Sequence, residues 1–179
     1  MSTHELVDFI ADSPVLEVVK YTPGRAAVGT PTKIVLEGVD GCGKTTTADK
    51  LFTLKIARPV ILVHAHAGKP WFDSWQAAID TLIVKNKTTD MIFDRGWACE
   101  YVYAKFFGNR PPPLKDVLAL DRLAKGHCTT YTMSQRERIS TYYNRLDDID
   151  KEQFTTRDLK IFQRRYNRIW KQRSKLTAI

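Results

Sequence analysis

Lys33-Ile34-Val35-Leu36-Glu37-Gly38-Val39-Asp40-Gly41-Cys42-Gly43-Lys44-Thr45-Thr46 is the stretch that decides the fold. Ile34 to Leu36 is a short apolar run of the kind found in strands buried on both faces. Glycines follow at once, and Gly38 to Thr45 satisfies the spacing G-x-x-x-x-G-K-[ST]. Each part of that spacing answers a physical need. Glycines let the backbone curl so that successive N–H groups point inward at an anion. The helix that follows adds its positive N-terminal end. Lys44 supplies a mobile cation for the outer phosphates of a nucleoside triphosphate, and the Thr45 hydroxyl is sized to ligate Mg²⁺. Thr46 adds a hydroxyl near the inner phosphate. Gly38, Val39, Asp40, Gly41, Cys42, Gly43, Lys44, Thr45 and Thr46 are therefore the expected ATP-binding residues. A chance glycine-rich turn would not need a strand before it and a helix after it. Cys42 is read as a small residue that fits the loop.

Outward from this loop the pattern is that of an α/β domain. Thr45 to Leu54 reads as a helix, Val60 to Val63 as a second β-branched run, and Phe72 to Val84 as an amphipathic helix. Met91, Ile92 and Phe93 make a third buried strand. Ala98 to Phe107 and Leu114 to Lys125 read as helices separated by Pro111-Pro112-Pro113, and Thr129 to Met133 as a fourth strand. Ser134 is a candidate cap for a helix to about Leu146. A last helix, about Thr156 to Lys175, gathers Leu159, Phe162, Tyr166, Ile169 and Trp170 on one side. Leu176 to Ile179 is a candidate final strand. Ahead of the core, Thr3 to Ala11 reads as a short helix with Thr3 as a possible cap and Val15 to Tyr21 as a strand. Thr22 to Pro31 is a Gly- and Pro-containing linker. Residues 1–31 are thus expected to be an extension and linker, and 32–179 the catalytic domain. Strands alternating with helices imply a mostly parallel sheet covered on both faces.

Composition narrows the classes. The chain has 179 residues, 43% hydrophobic and 27% charged, which suits one globular domain. No apolar stretch approaches the ~18 residues of a membrane span, and the acidic N-terminal segment is no secretory signal. Cys42, Cys99 and Cys128 lack metal-site spacing and read as reduced thiols in a cytoplasm. The net charge of +8 is the unusual figure, since a basic surface attracts phosphates. It concentrates in 157–175, where Arg157, Lys160, Arg164, Arg165, Arg168, Lys171, Arg173 and Lys175 face Asp158 as the one acid. That helix is either a solvated face or a contact for nucleic acid.

A phosphate loop needs an acid at the end of a neighbouring strand to hold Mg²⁺, and Met91-Ile92-Phe93-Asp94 supplies one. In a parallel sheet that strand end faces the same crevice as the loop. Arg95 follows directly, and a guanidinium is well shaped to fork onto phosphate oxygens.

Glu37 to Thr46 closely resembles the EGxDGxGKTT loop of thymidylate kinases. Phe93-Asp94-Arg95-Gly96-Trp97 resembles their FDR-plus-aromatic segment, and Ala98-Cys99-Glu100-Tyr101-Val102-Tyr103 is similar to the SE-x-VY stretch of kinase-like bacteriophage proteins. The likeness spans about residues 33 to 172. It implies a three-layer α/β fold of the P-loop NTPase type, and ATP and Mg²⁺ as cofactors. It further implies that Lys44 steers the transferred phosphoryl and that Thr45 and Asp94 hold the metal. Arg95 would grip the acceptor or the phosphoryl in flight, with Asp40 near the acceptor's sugar or hydroxyl. Arg136 and Arg138, with Arg145 beyond, fall where such kinases place a mobile lid, about 134–155. Trp71, Phe72, Trp75 and Trp97 are candidates to stack on a base and Tyr103 a further candidate to contact the acceptor, although aromatics at i and i+4, as in Trp71 and Trp75, are more often packing residues on a helix face. The expected location is the cytoplasm of a host cell, if the chain is phage-encoded.

The chain departs from that family at one place. Thymidylate kinases carry Arg-Glu-Pro-Gly-Gly after the second strand; here stands His64-Ala65-His66-Ala67-Gly68-Lys69-Pro70-Trp71. The arginine that shapes the monophosphate site is missing. His64 and His66 share one side of a strand, but two histidines without a third ligand are a poor metal site. Three functions follow: phosphoryl transfer to a deoxynucleoside monophosphate, transfer to a hydroxymethylated pyrimidine such as 5-hydroxymethyluracil within DNA, or a nucleotide-dependent binding module. The sequence leaves the oligomeric state open, a homodimer included.

Overall fold

The structure is a computed structural model, which describes residues 1–23, 29–54, 58–66, 71–133 and 139–177. Its centre is a five-stranded sheet in the order β1-β3-β4-β2-β5. β2 (Lys33–Glu37), β3 (Val60–Ala65), β4 (Asp90–Asp94) and β5 (Thr129–Thr132) run parallel, while β1 (Leu16–Thr22) pairs antiparallel with β3 at one edge.

The middles of β2, β3 and β4 are apolar because helices cover both faces of the sheet there. On one face Ile34, Leu36, Val60, Leu62 and Ile92 pack against Ala48, Leu51 and Phe52 of α2 (Lys44–Leu54). On the other, the alternate residues Val35, Ile61, Val63, Met91 and Phe93 join a larger core. That core draws on α1 (Thr3–Ala11), α3 (Trp71–Ala78), α4 (Ala98–Tyr103), α5 (Leu114–Ala124), α6 (Ile139–Asn144) and α8 (Thr156–Thr177). The period-two alternation within one apolar run thus sorts residues between two cores. The fold is the expected three-layer α/β arrangement.

Five expectations are corrected. Residues 1–22 are built into the domain: Leu6 and Ile10 of α1 are fully buried, and β1 is a strand of the sheet. α1 is capped by Ser2, not Thr3, through a capping box with Glu5. The helix expected over Phe72 to Val84 is α-helical only to Ala78 and continues as a π-helix, Ile79–Lys85. Asn86 ends it, its side-chain amide donating to the Leu82 and Thr89 carbonyls. α4 stops at Tyr103, followed by turns to Gly108. The proposed final strand at Leu176 is instead the end of α8, which runs to Thr177. Within residues 134–155, where the lid is expected, α6 and α7 (Asp148–Gln153) are both short. Ser134, the proposed cap, lies outside the described residues, as do residues 24–28 of the linker.

α8 is clamped to the strand that launches the phosphate loop. The Arg173 guanidinium ion-pairs with Glu37, which is fully buried, and bonds Asp121 of α5 at 2.7 Å. Trp97 Nε1 donates to the same Asp121 at 2.8 Å.

Candidate functional site

The loop after β2 has the shape its glycines require. Gly41 has φ +76° and Gly43 φ +90°, left-handed values that a residue bearing Cβ adopts only at a cost. Gly41 has a second constraint: a Cβ there would stand 2.1 Å from the Tyr142 carbonyl of α6. The turn after Gly43 delivers Lys44 as the first residue of α2.

Lys44 is buried and folded back on its own loop, its Nζ donating to the Val39 carbonyl at 2.8 Å with Asp40 Oδ1 at 3.6 Å. Thr45 Oγ1 donates to Asp94 Oδ2 at 2.7 Å. The register explains this meeting: Leu36 pairs with Asp94 across β2 and β4, so both strands release their chains at one level of the crevice. Asp94 Oδ1 is buried without a hydrogen-bond partner, as is Asp40 Oδ2. An orphaned carboxylate oxygen beside a threonine hydroxyl fits the inner coordination of a hard divalent cation, directly or through water. Thr45 and Asp94 are thus the pair that could hold Mg²⁺ at the tail of ATP. His64 Nδ1 lies 3.5 Å from Asp94 Oδ2. Among the described residues no cluster of three or more His, Cys, Asp or Glu forms a separate metal site.

Arg95 is the one described non-glycine residue with positive φ, at 80°. Its N–H donates to the Leu36 carbonyl at 3.1 Å, and its Nη2 donates to Asp40 Oδ1 at 2.6 Å. Strained backbone of this kind persists where the surrounding structure over-determines it, commonly at ligand sites. The guanidinium also lies 5.6 Å from the centre of the Tyr103 ring.

Electrostatics follow from this packing. Burial pushes the Asp40 carboxyl up, but Lys44 and Arg95 outweigh it and hold Asp40 below the usual carboxylate range. Burial likewise opposes ionisation of Asp94, and hydrogen bonds from His64 and Thr45 overcome it. Burial raises the Cys42 thiol, which disfavours its thiolate form.

The loop after β2 and the segment from Arg145 into α7 line a hollow of about 400 Å³, with Asp40, Gly41, Lys44, Thr45, Thr46 and Arg95 from the first side and Arg145, Leu146, Asp147 and Asp150 from the second. The sequence singled out Arg145 and missed Asp147 and Asp150. Asp150 is raised by burial and by the neighbouring Asp40 and Asp147 carboxylates.

The remaining candidates divide. Gly38 and Val39 complete the loop, Val39 buried at 3% exposure. Tyr103 is buried beside Asp40 and Arg95. Trp97 is 1% exposed, stacked edge-on against Trp75 and bonded to Asp121, so it is a core residue with no face for an acceptor. Trp71 is half-buried and lines a separate hollow with Arg110 and Pro111 to Pro113. Arg136 and Arg138 lie outside the described residues. Tyr166 of α8, which the sequence analysis assigned to packing, is buried next to Arg95 with an unpartnered hydroxyl. The helical stripe that found it carries no signal for that hydroxyl.

No protein-family model matches the sequence, and comparison with curated proteins gives no match. Among solved structures, deoxyadenosine kinase from M. mycoides with products dCMP and a flexible dCDP bound is 16% identical, with TM-score 0.42, covering 79% of this chain and 84% of that chain. The same enzyme with bound dATP is 15% identical, with TM-score 0.45, covering 80% and 86%. At this level of likeness neither structure bears on the individual residues of the site.

Proposed function

We propose that the chain is an ATP-dependent phosphotransferase of the P-loop kinase class, moving the γ-phosphoryl of ATP to a deoxynucleoside monophosphate. The observation that carries this reading is the convergence on one hollow of Lys44 and Thr45 with the Asp40–Arg95 pair, Thr45 bonded to Asp94 beside it. A bare nucleotide switch needs the first two; the acid–arginine pair beside them suits an acceptor. Mg²⁺, when bound, supplies charge neutralisation on the transferring phosphates.

In this reading the loop amides and Lys44 orient the triphosphate, and Thr45 and Asp94 hold the metal. Arg95 grips the acceptor, and Asp40 orients Arg95 while facing the acceptor's hydroxyl. Arg145, together with Arg136 and Arg138, neutralises charge in the closed lid, and the lid excludes water. Tyr103 packs beside the acceptor, and Trp71 stands further out.

A second reading moves the same chemistry to a hydroxymethylated pyrimidine within DNA. The missing monophosphate arginine after β3 and the basic outer face of α8 favour it. Such an enzyme must unstack its target base.

Incubation with γ-labelled ATP and Mg²⁺ tests both, offering deoxynucleoside monophosphates alongside plain and 5-hydroxymethyluracil-containing DNA. Label on the small molecules supports the first reading and label on DNA the second. Label on neither refutes both and leaves a nucleotide-binding module.

A further inference from the structure

α8 turns an apolar stripe inward: Leu159, Phe162, Tyr166 and Ile169 are all at most 2% exposed. The structure divides its basic residues into two groups. Arg173 is spent on Glu37 and Asp121, and Arg165 donates to the Val102 carbonyl. Arg164 and Arg168, one turn apart, are exposed and have no carboxylate partner among the described residues. The helix's single acid, Asp158, is occupied in capping, accepting from the Thr155 hydroxyl at 2.6 Å. A solvated face normally interleaves both signs; this one does not.

These arginines border a groove. Arg164, Arg165, Arg168 and Ile161 of α8 line it together with Tyr101 of α4 and Pro111, a hollow of about 460 Å³. Pro111 also lines the next hollow, about 520 Å³, where Arg110 and Trp71 stand. The two hollows thus meet at Pro111 in one track that gathers cations (Arg164, Arg168, Arg110) and half-buried aromatics (Tyr101, Trp71). Its far end, Trp71, opens α3 beyond the carboxyl end of β3, the edge of the sheet on which the phosphate loop lies. Spaced cations against flat aromatic faces are what a flexible strand with a charged backbone and unpaired bases requires. Paired bases in a duplex present no free face to Tyr101 or Trp71.

We infer that this track between α4 and α8 binds single-stranded polynucleotide. It needs no assumption about the phosphoryl acceptor, because binding is measured without ATP. Fluorescence anisotropy of a labelled oligothymidylate, followed between about 50 and 200 mM salt, reads both affinity and salt slope. Arg164→Ala/Arg168→Ala is expected to weaken binding at least ~10-fold and to flatten the slope by about 1.4, two contacts at ~0.7 each. Tyr101→Leu, which keeps the apolar packing, is expected to weaken it at least ~5-fold with the slope unchanged. Lys50→Ala/Lys87→Ala removes equal charge from exposed positions off the track and should change affinity less than ~3-fold. Lys44→Ala should bind as the parent chain does. Equal losses in the two double variants, binding of a duplex as tight as of the single strand, or no binding by the parent chain overturns the inference. Phosphoryl transfer surviving any of these outcomes leaves the kinase reading standing alone.

Discussion

Arg95 reaches back from the end of β4 to place Nη2 2.6 Å from Asp40 Oδ1 in the phosphate loop, and its backbone is left-handed to do so. The contact ties the two halves of the crevice together. It holds a guanidinium, always charged, against a carboxylate that two cations keep ionised.

Asp40→Asn keeps the shape of this contact and removes its charge. Turnover is expected to fall about 10²–10⁴-fold. Arg95→Lys should not restore activity lost in Arg95→Ala, because an ammonium cannot fork onto two oxygens. Steady-state kinetics on the acceptor identified by labelling checks both; normal rates in either variant would dissociate the pair from catalysis.

Lys44→Ala removes the cation that completes the loop. Transfer should fall by at least about 10²–10³-fold, while the thermal midpoint moves little. Near-normal turnover in a folded Lys44→Ala protein would refute the site assignment.

Asp94→Asn and Thr45→Ala should each raise the Mg²⁺ concentration needed for half-maximal activity, read from a magnesium titration at saturating ATP. Asp94 also bears on acid stability. Its folded value, like that of Asp40, lies below the ordinary 3.8. Both therefore contribute stability that is present above 3.8 and lost as pH falls through the folded values. Acid unfolding followed by circular dichroism should be shallower below pH 4 in Asp40→Asn.

The Arg173–Glu37 pair is a structural tie. Arg173→Met leaves the fully buried Glu37 carboxylate unpaired and should cost about 3–5 kcal/mol in urea unfolding. Adding Glu37→Gln should recover part of the loss. A neutral Arg173→Met would show that α8 is not held to β2 through this contact.

Tyr166 buries a hydroxyl that has no hydrogen-bond partner, and burial raises its ionisation well above the ordinary value. A raised acid favours the folded state below the unfolded value near 10, and that advantage is lost as pH rises beyond it. Tyr166→Phe should leave stability at pH 7 unchanged or raised by up to ~1 kcal/mol, and should flatten alkaline unfolding above pH 10. A large loss at neutral pH would reveal a partner for the hydroxyl.

The phosphate loop, Asp94 and the sandwiched parallel strands were all legible in the chain, because each is written in contiguous residues: glycine spacing, an apolar run, an acid at its end. Chain-local chemistry dictates them. Tertiary structure alone decided the rest. Trp97, just ahead of one helix, and Tyr166, within another, are both large aromatics in sequence, yet packing buries Trp97 against Trp75 and Asp121 and sets Tyr166 beside Arg95. The basic run in α8 is one block of like charge until the fold assigns Arg173 to Glu37 and leaves Arg164 and Arg168 facing outward. Which partner a side chain meets depends on segments far away in sequence, and neither spacing nor composition records that distance.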